Sequence, residues 1–314
     1  MVESKTAVYG AIVANLSIAI TKFIVAGFTG SSAMLSEGVH STVDTGNGVL
    51  LLVGIHLSQR EATVEHPFGH GKELYFWSLI VAVLIFGVGG GISAYEGYVH
   101  MRNPQPLHDP FWNYVVLALA AIFESVSFSI ALRAFMQEKG KRPFWTALHA
   151  SKDPATYTVL AEDAAAIAGL AIAAAGVFAS HYFSMPVLDG AASVLIGVLL
   201  AGVAVLLIRE SRGLLIGEGV RPETSANIRE LALHTPGIRR AAMPLSMYIG
   251  PSEALLTLDV EFEPQLQAHE VASIIANLEQ QIRSRYPTIK KIYIEAGSLS
   301  ARGKTAIEIN ARNT

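Results

Sequence analysis

The chain has 314 residues, 51% of them hydrophobic and only 16% charged, against about 25% charged in an ordinary soluble domain; its mean hydropathy is +0.41. A net charge of −3 is too small to argue for nucleic acid or another polyanion as partner. With no cysteine present, disulfides, thiolate zinc sites, iron–sulfur clusters and cysteine nucleophiles are excluded, and histidine, aspartate and glutamate remain as the metal-binding vocabulary.

A helix of about 20 mostly apolar residues can cross a bilayer. Six stretches qualify in chain order: Ala7–Phe28, Ser31–Leu57, Leu74–Val99, Phe111–Phe135, Tyr157–Phe183 and Met185–Ile208. Met1–Thr6 offers neither a basic n-region nor a small-residue cleavage site, so the first stretch reads as a retained span and not a signal peptide. With six spans, Lys5, Arg60, Lys72, Arg133, Lys139, Lys141, Arg142, Lys152, Arg209 and Arg212 share one side and Arg102 stands alone on the other. Loop cations mark the cytoplasmic side, so both termini are expected there, in a multi-pass protein of the inner cell membrane.

From Arg209 the texture turns to ordinary mixed sequence. Arg221–His234 and Gln267–Tyr286 have helical signals; Ile238–Met247, Ala254–Glu263 and Lys290–Glu295 read as strands, the second by its alternation of Leu256, Leu258, Val260 and Phe262 with polar neighbours. The order α-β-β-α-β predicts a two-layer, ferredoxin-like sandwich. The expected organisation is therefore an α-helical membrane protein, with a six-helix transmembrane domain over 1–210, a cytoplasmic α+β domain over 211–298 and a loose end over 299–314.

Ionisable groups inside spans are costly and mark function by default. The second stretch holds Glu37, His40 and Asp44; His40 and Asp44, four apart, share one helix face and can grip a divalent cation through nitrogen and oxygen. The fifth holds adjacent Glu162 and Asp163, which diverge by about 100° around the helix. Spacing does not choose between them: Asp163 shares a face with Val159, whereas Glu162 shares a smaller face with Ala165, Ala166 and Gly169, suited to close helix approach. Glu162 is open to three roles, as partial ligand, proton carrier or partner of Lys22 in the first stretch. Glu124 in the fourth is either a hydrogen-bond anchor or a proton relay. In the loop Glu65-His66-Pro67-Phe68-Gly69-His70-Gly71-Lys72, two histidines four apart either hold metal or belong to a rigid connector. His56, His100, His108, His149 and His181 lie near span ends, where an amphipathic ring is at home.

Six spans, His40-Ser-Thr-Val-Asp44, an acidic pair in the fifth span, the loop His66-Pro-Phe-Gly-His-Gly-Lys72 and the α+β tail together resemble the cation diffusion facilitator family over about residues 5–298. Leu160-Ala-Glu162-Asp163 is similar to a branch that includes zinc transporters. The resemblance implies a homodimeric antiporter that exports divalent metal from the cytoplasm against protons. It also implies a transport site at the positions of His40, Asp44, Val159 and Asp163, which favours Asp163 over Glu162. Val159 departs from the family pattern, since valine cannot bind metal; Glu162, Asn47 and water are the candidates for a fourth ligand. A site with one fewer imidazole is harder, so manganese, iron or cobalt join zinc, the first expectation, as possible cargo. His66 and His70 match the family's loop-site histidines; the position of the usual acidic ligand falls near Thr63, and neighbouring Glu65 is the candidate substitute. In the tail, Met243, Asp259, His269 and Glu295 stand where a regulatory site is often found, a depleted set. No prosthetic group is expected; the partners are metal ions, protons, the lipid bilayer and a second copy. His-Glu-x-x-His and Gly-x-Ser-x-Gly are absent, which argues against an enzyme; the competing functions are a membrane metal sensor or a metal channel.

Overall fold

The break between the first two apolar stretches falls at Gly30, whose φ of 73° lies in the left-handed region that glycine enters freely. In the computed structural model, which describes residues 2–104, 109–140, 143–144 and 154–297, this turn separates α1 (Val2–Thr29) from α2 (Ser32–Ser58). Side chains are described from residue 15 onward, apart from 86, 138, 155 and 156. The end segment 298–314, His108, His149, Lys141, Arg142 and Lys152 lie outside the described residues. Ser31 caps α2, its Oγ accepting from Met34 N at 3.1 Å, which satisfies one of the amides a first turn leaves open.

The third apolar stretch is one run in the sequence and three segments in the fold: α3 (Glu73–Leu84), a π-helical turn (Ile85–Gly90) and α4 (Gly91–Arg102). Glycines at 87, 89, 90 and 91 supply no side chains to hold an α register there, and π turns recur where a helix must be re-aimed. Then follow α5 (Phe111–Lys139), α6 (Pro154–Tyr182) and α7 (Val187–Ile216). By length and composition Glu73–Arg102, Phe111–Gln137, Tyr157–Tyr182 and Val187–Ile216 suffice to cross a membrane. α1 adds the shorter apolar helix Asn15–Thr29, and α2 is diluted by Glu37, His40, Asp44 and Asn47.

α2 is the hub of the helical unit. It packs against α1, α3, α4 and α6, while α5 lies on α1 and α6. α4 and α7 approach with almost nothing between them: a Cβ on Gly97 would stand 2.6 Å from Gly190 O, so only small residues permit this crossing. The first turn of α7 is tied to the start of α2 by Asp189, which is fully buried. Its carboxylate accepts from Ser31 Oγ at 2.6 Å, Ser32 N at 2.6 Å, Ser32 Oγ at 3.0 Å and Ala33 N at 3.2 Å. A negative charge at a helix N-terminus also complements the helix dipole. His100, expected as an ordinary interfacial ring, is instead buried, with Nε2 4.0 Å from Asp189 Oδ2. The glycine contact draws the end of α4 inward over α7 and carries the imidazole with it.

Contacts divide the chain into two units, Met1–Arg60 with Glu73–Arg212, and Glu61–Lys72 with the residues from Gly213 onward. The second comprises α8 (Pro222–Leu233), β1 (Ile238–Ala241), β2 (Leu245–Gly250), β3 (Glu253–Phe262), α9 (Ala268–Arg285) and β4 (Ile289–Ala296). The strand expected over Ile238–Met247 is thus broken in two. Pro244, which has no N–H for a ladder, lies in the break. Both pieces pair antiparallel with β3, β1 at Val260–Phe262 and β2 at Glu253–Thr257, while β4 runs parallel along the other edge. Alternate β3 residues Ala254, Leu256, Leu258 and Val260 meet Ile228 and Ala232 of α8 and Leu278 and Ile282 of α9 in one core, so both helices cover the same face of the sheet. A capping box between Gln267 and Glu270 starts α9. Tyr248 packs against this core, and burial pushes its phenol above the ordinary value of 10.0. The folded tail therefore favours the neutral phenol, and stability falls as pH rises past about 10.

Candidate metal transport site

Helix pitch puts residues four apart on one face, and His40 Nε2 stands 3.1 Å from Asp44 Oδ2. The imidazole is buried and the carboxylate 17% exposed, so the pair is sunk in the bundle with one edge open. Two donors each about 2.0–2.1 Å from a tetrahedral zinc lie about 3.3 Å apart; the observed spacing suits a shared divalent ion. One turn earlier on α2, Glu37 receives Lys22 from α1: Nζ lies 2.9 Å from Oε2 and 2.8 Å from Ser41 Oγ. Lys22 is therefore partnered by Glu37 and not by Glu162, because both groups sit at the α1–α2 contact.

The adjacent carboxylates of α6 part company, as their angular separation requires. Glu162 turns to α2, where its Oε1 accepts from Asn47 Nδ2 at 3.0 Å. Asp163 turns to α5, where its Oδ2 accepts from Ser127 Oγ at 2.9 Å. Two candidates for the fourth ligand, Glu162 and Asn47, are thus bonded to each other. Among the described residues the donors stand as pairs, and no group of three or more is gathered as a metal cage. Val159 is half-buried one turn before Asp163, and Glu124 is half-buried on α5. Among the described residues, the buried atoms Glu37 Oε1, His40 Nδ1 and Asn47 Oδ1 beside these pairs have no hydrogen-bond partner.

The histidine loop belongs to the tail unit. Thr63 and His66 close a turn on each other, Thr63 N donating to His66 O at 3.2 Å and His66 N donating to Thr63 Oγ1 at 3.1 Å. The His66 and His70 rings lie 4.6 Å apart, and His70 Nδ1 is 3.1 Å from Glu61 O. With that nitrogen donating to the carbonyl, Nε2 of His70 is left as the ligand-capable atom. Gly71 sits so close to Ile249 O that no Cβ fits, and Lys72 Nζ donates to Leu215 O at 3.2 Å. In the tail Asp259 and Glu295 are register neighbours on β3 and β4, whereas Met243 lies in the β1–β2 break and His269 in the first turn of α9.

Residues 8–216 match the model of the cation efflux transmembrane domain. The chain belongs to the cation efflux family. The human proton-coupled zinc antiporter SLC30A9, mitochondrial, is 33% identical over 245 residues, 77% of this cation efflux chain and 43% of the relative. Metal tolerance protein C4 of Arabidopsis thaliana is 29% identical over 266 residues, 84% of the chain and 58% of the relative. Magnetosome protein MamM of Paramagnetospirillum magneticum is 25% identical over 300 residues, 91% of the chain and 86% of the relative. The chain thus spans less than half the length of SLC30A9. A solved MamM-CTD structure matches 24% of the chain and 95% of its own length at 16% identity and TM-score 0.23.

Ser127 and Asp189 escaped the sequence reading. Asp189 was open to the rule that flagged Glu37, an acid inside an apolar stretch; Ser127 carries no such signal, since an isolated serine in a span is ordinary.

Proposed function

We propose that this cation efflux protein moves divalent metal, zinc first, out of the cytoplasm in exchange for protons, as a homodimer with six spans and both termini cytoplasmic. The observation that carries the reading is the buried His40–Asp44 pair on α2, on a helix that also meets the Glu162 carboxylate of α6 through Asn47. His40 and Asp44 hold the ion, Asp163 joins them when it leaves Ser127, and Glu162 completes the set or carries a proton. An imidazole and carboxylates must be deprotonated to bind metal, so loading releases protons. On a more acidic side the protons return and displace the ion. Rocking of helices about a midplane site provides alternating access. His66 and His70, with Glu65, form a second, exposed metal site in the loop.

Reconstituted into proteoliposomes with a pH-sensitive dye inside, the protein is expected to couple zinc flux to opposite proton flux; manganese, iron(II), cobalt and cadmium are run in turn. Flux that ignores the pH gradient would make it a channel, and binding without flux a sensor. Val159→His restores an imidazole one turn before Asp163 and is expected to shift preference towards zinc over manganese, because nitrogen is the softer ligand. An unchanged metal ranking would mean that the site is completed elsewhere.

The dimer is expected to survive metal removal, since the tail offers one imidazole and two carboxylates on scattered elements. Light scattering on the full chain in excess chelator reads this directly. Dissociation to monomers that zinc reverses would show that the tail contact depends on metal.

A further inference from the structure

Glu37 is 1% exposed and His40 3%, one turn apart on α2. Lys22 occupies only one oxygen of Glu37, Oε2; among the described residues Oε1 has no donor, and His40 Nδ1 has no partner either. Buried polar atoms are rarely left so, and two on the same turn call for a common explanation. Both border one spot. A Cβ built on Gly169 of α6 would stand 2.5 Å from Glu37 Oε1 and 3.8 Å from His40 Nδ1. Glycine leaves that spot to the two polar atoms, where any other residue would fill it with carbon.

A metal-binding histidine commonly donates its second ring N–H to a carboxylate, which fixes the tautomer and aims the other nitrogen at the ion. Here the other nitrogen, Nε2, already faces Asp44 at 3.1 Å. We infer that Glu37 is a positioning residue for metal transport: held by Lys22 and facing the space over Gly169, its Oε1 takes the Nδ1–H of His40, directly or through one water, so that Nε2 is offered with Asp44 to the cation. This rests on the proposed transport site. Lys22 balances the charge of Glu37, and it fixes which oxygen remains for His40.

Glu37→Gln tests it in the full-length protein. The amide turns its oxygen to the Lys22 ammonium and its NH2 to His40 Nδ1, which forces the proton onto Nε2, the atom the metal needs. Zinc affinity, read by competition with a fluorescent chelator, is expected to fall by about 10- to 100-fold. The 15N spectrum of histidine-labelled protein in bilayers, at zinc just saturating for the wild type, is expected to show His40 as Nδ1–H with Nε2 on the metal, and in Glu37→Gln to show that form replaced by metal-free Nε2–H. Gly169→Ala retains both charged residues, fills the space with a methyl group that pushes Glu37 Oε1 aside, and is expected to weaken zinc in the same direction; it decides the matter if Glu37→Gln does not fold. Unchanged affinity and an unchanged His40 spectrum in the folded variant would overturn the inference and leave Glu37 as the counter-ion of Lys22. His40→Ala is measured alongside: undiminished zinc binding there overturns the transport-site reading and this inference together, whereas lost binding with an unaffected Glu37→Gln overturns the inference alone.

Discussion

Asp44→Ala protein in proteoliposomes is expected to pass no zinc above the lipid background while remaining folded and dimeric. Asp44 supplies the oxygen 3.1 Å from His40 Nε2, and its side chain retains partial exposure, so on the proposed function its loss strips a metal bond without opening a sealed core. A site of so few charged ligands does not tolerate losing one; a drop of at least about 100-fold in flux is the scale expected, roughly 3 kcal/mol of binding. His40→Ala and Asp163→Ala are expected to do the same, the latter freeing Ser127 Oγ on α5. Zinc flux of ordinary size from Asp44→Ala would remove the α2 pair from the mechanism.

Asp189→Ala has the opposite profile: it is expected to damage the fold first. The carboxylate is fully buried and accepts from two hydroxyls and two backbone amides at the start of α2. Alanine leaves those donors buried and unpaired, at about 1–3 kcal/mol for each group that finds no water. The summed loss is on the order of 3–5 kcal/mol, among the larger effects of single substitutions. Thermal melting in detergent should show a clear fall in Tm, with Asp189→Asn falling less because it keeps one acceptor oxygen. A melting curve that does not move would mean that water replaces the carboxylate without cost.

How far the sequence carried these conclusions differs by element. The His40–Asp44 contact was legible because four residues of helix is a fixed geometric step. The tail strands were legible because Leu256, Leu258 and Val260 alternate with polar residues. Partners across helices were not. Lys22 could have met any acid of the bundle, and only the α1–α2 packing assigns it to Glu37. The divergence of Glu162 and Asp163 followed from helix pitch, but which faces α2 and which α5 required the packed bundle. The burial of His100 was hidden because it depends on a glycine crossing between α4 and α7, two segments far apart in sequence. The split of the first tail strand was marked by Pro244, and an early break there was readable.

The histidine loop Glu61–Lys72 is part of the tail unit, although it is made long before the rest of it. During synthesis the ribosome must add everything from Glu73 to Arg212 before the first tail residue appears, on the order of ten seconds at typical rates. Throughout that interval Gly71 has no Ile249 to rest on, and Lys72 has no Leu215 carbonyl to bond. The tail therefore cannot close until the helices between have been translated, and a chain truncated at Arg212 leaves His66 and His70 on an unanchored turn. Closure of this discontinuous unit therefore reports that the helices between Glu73 and Arg212 have been made.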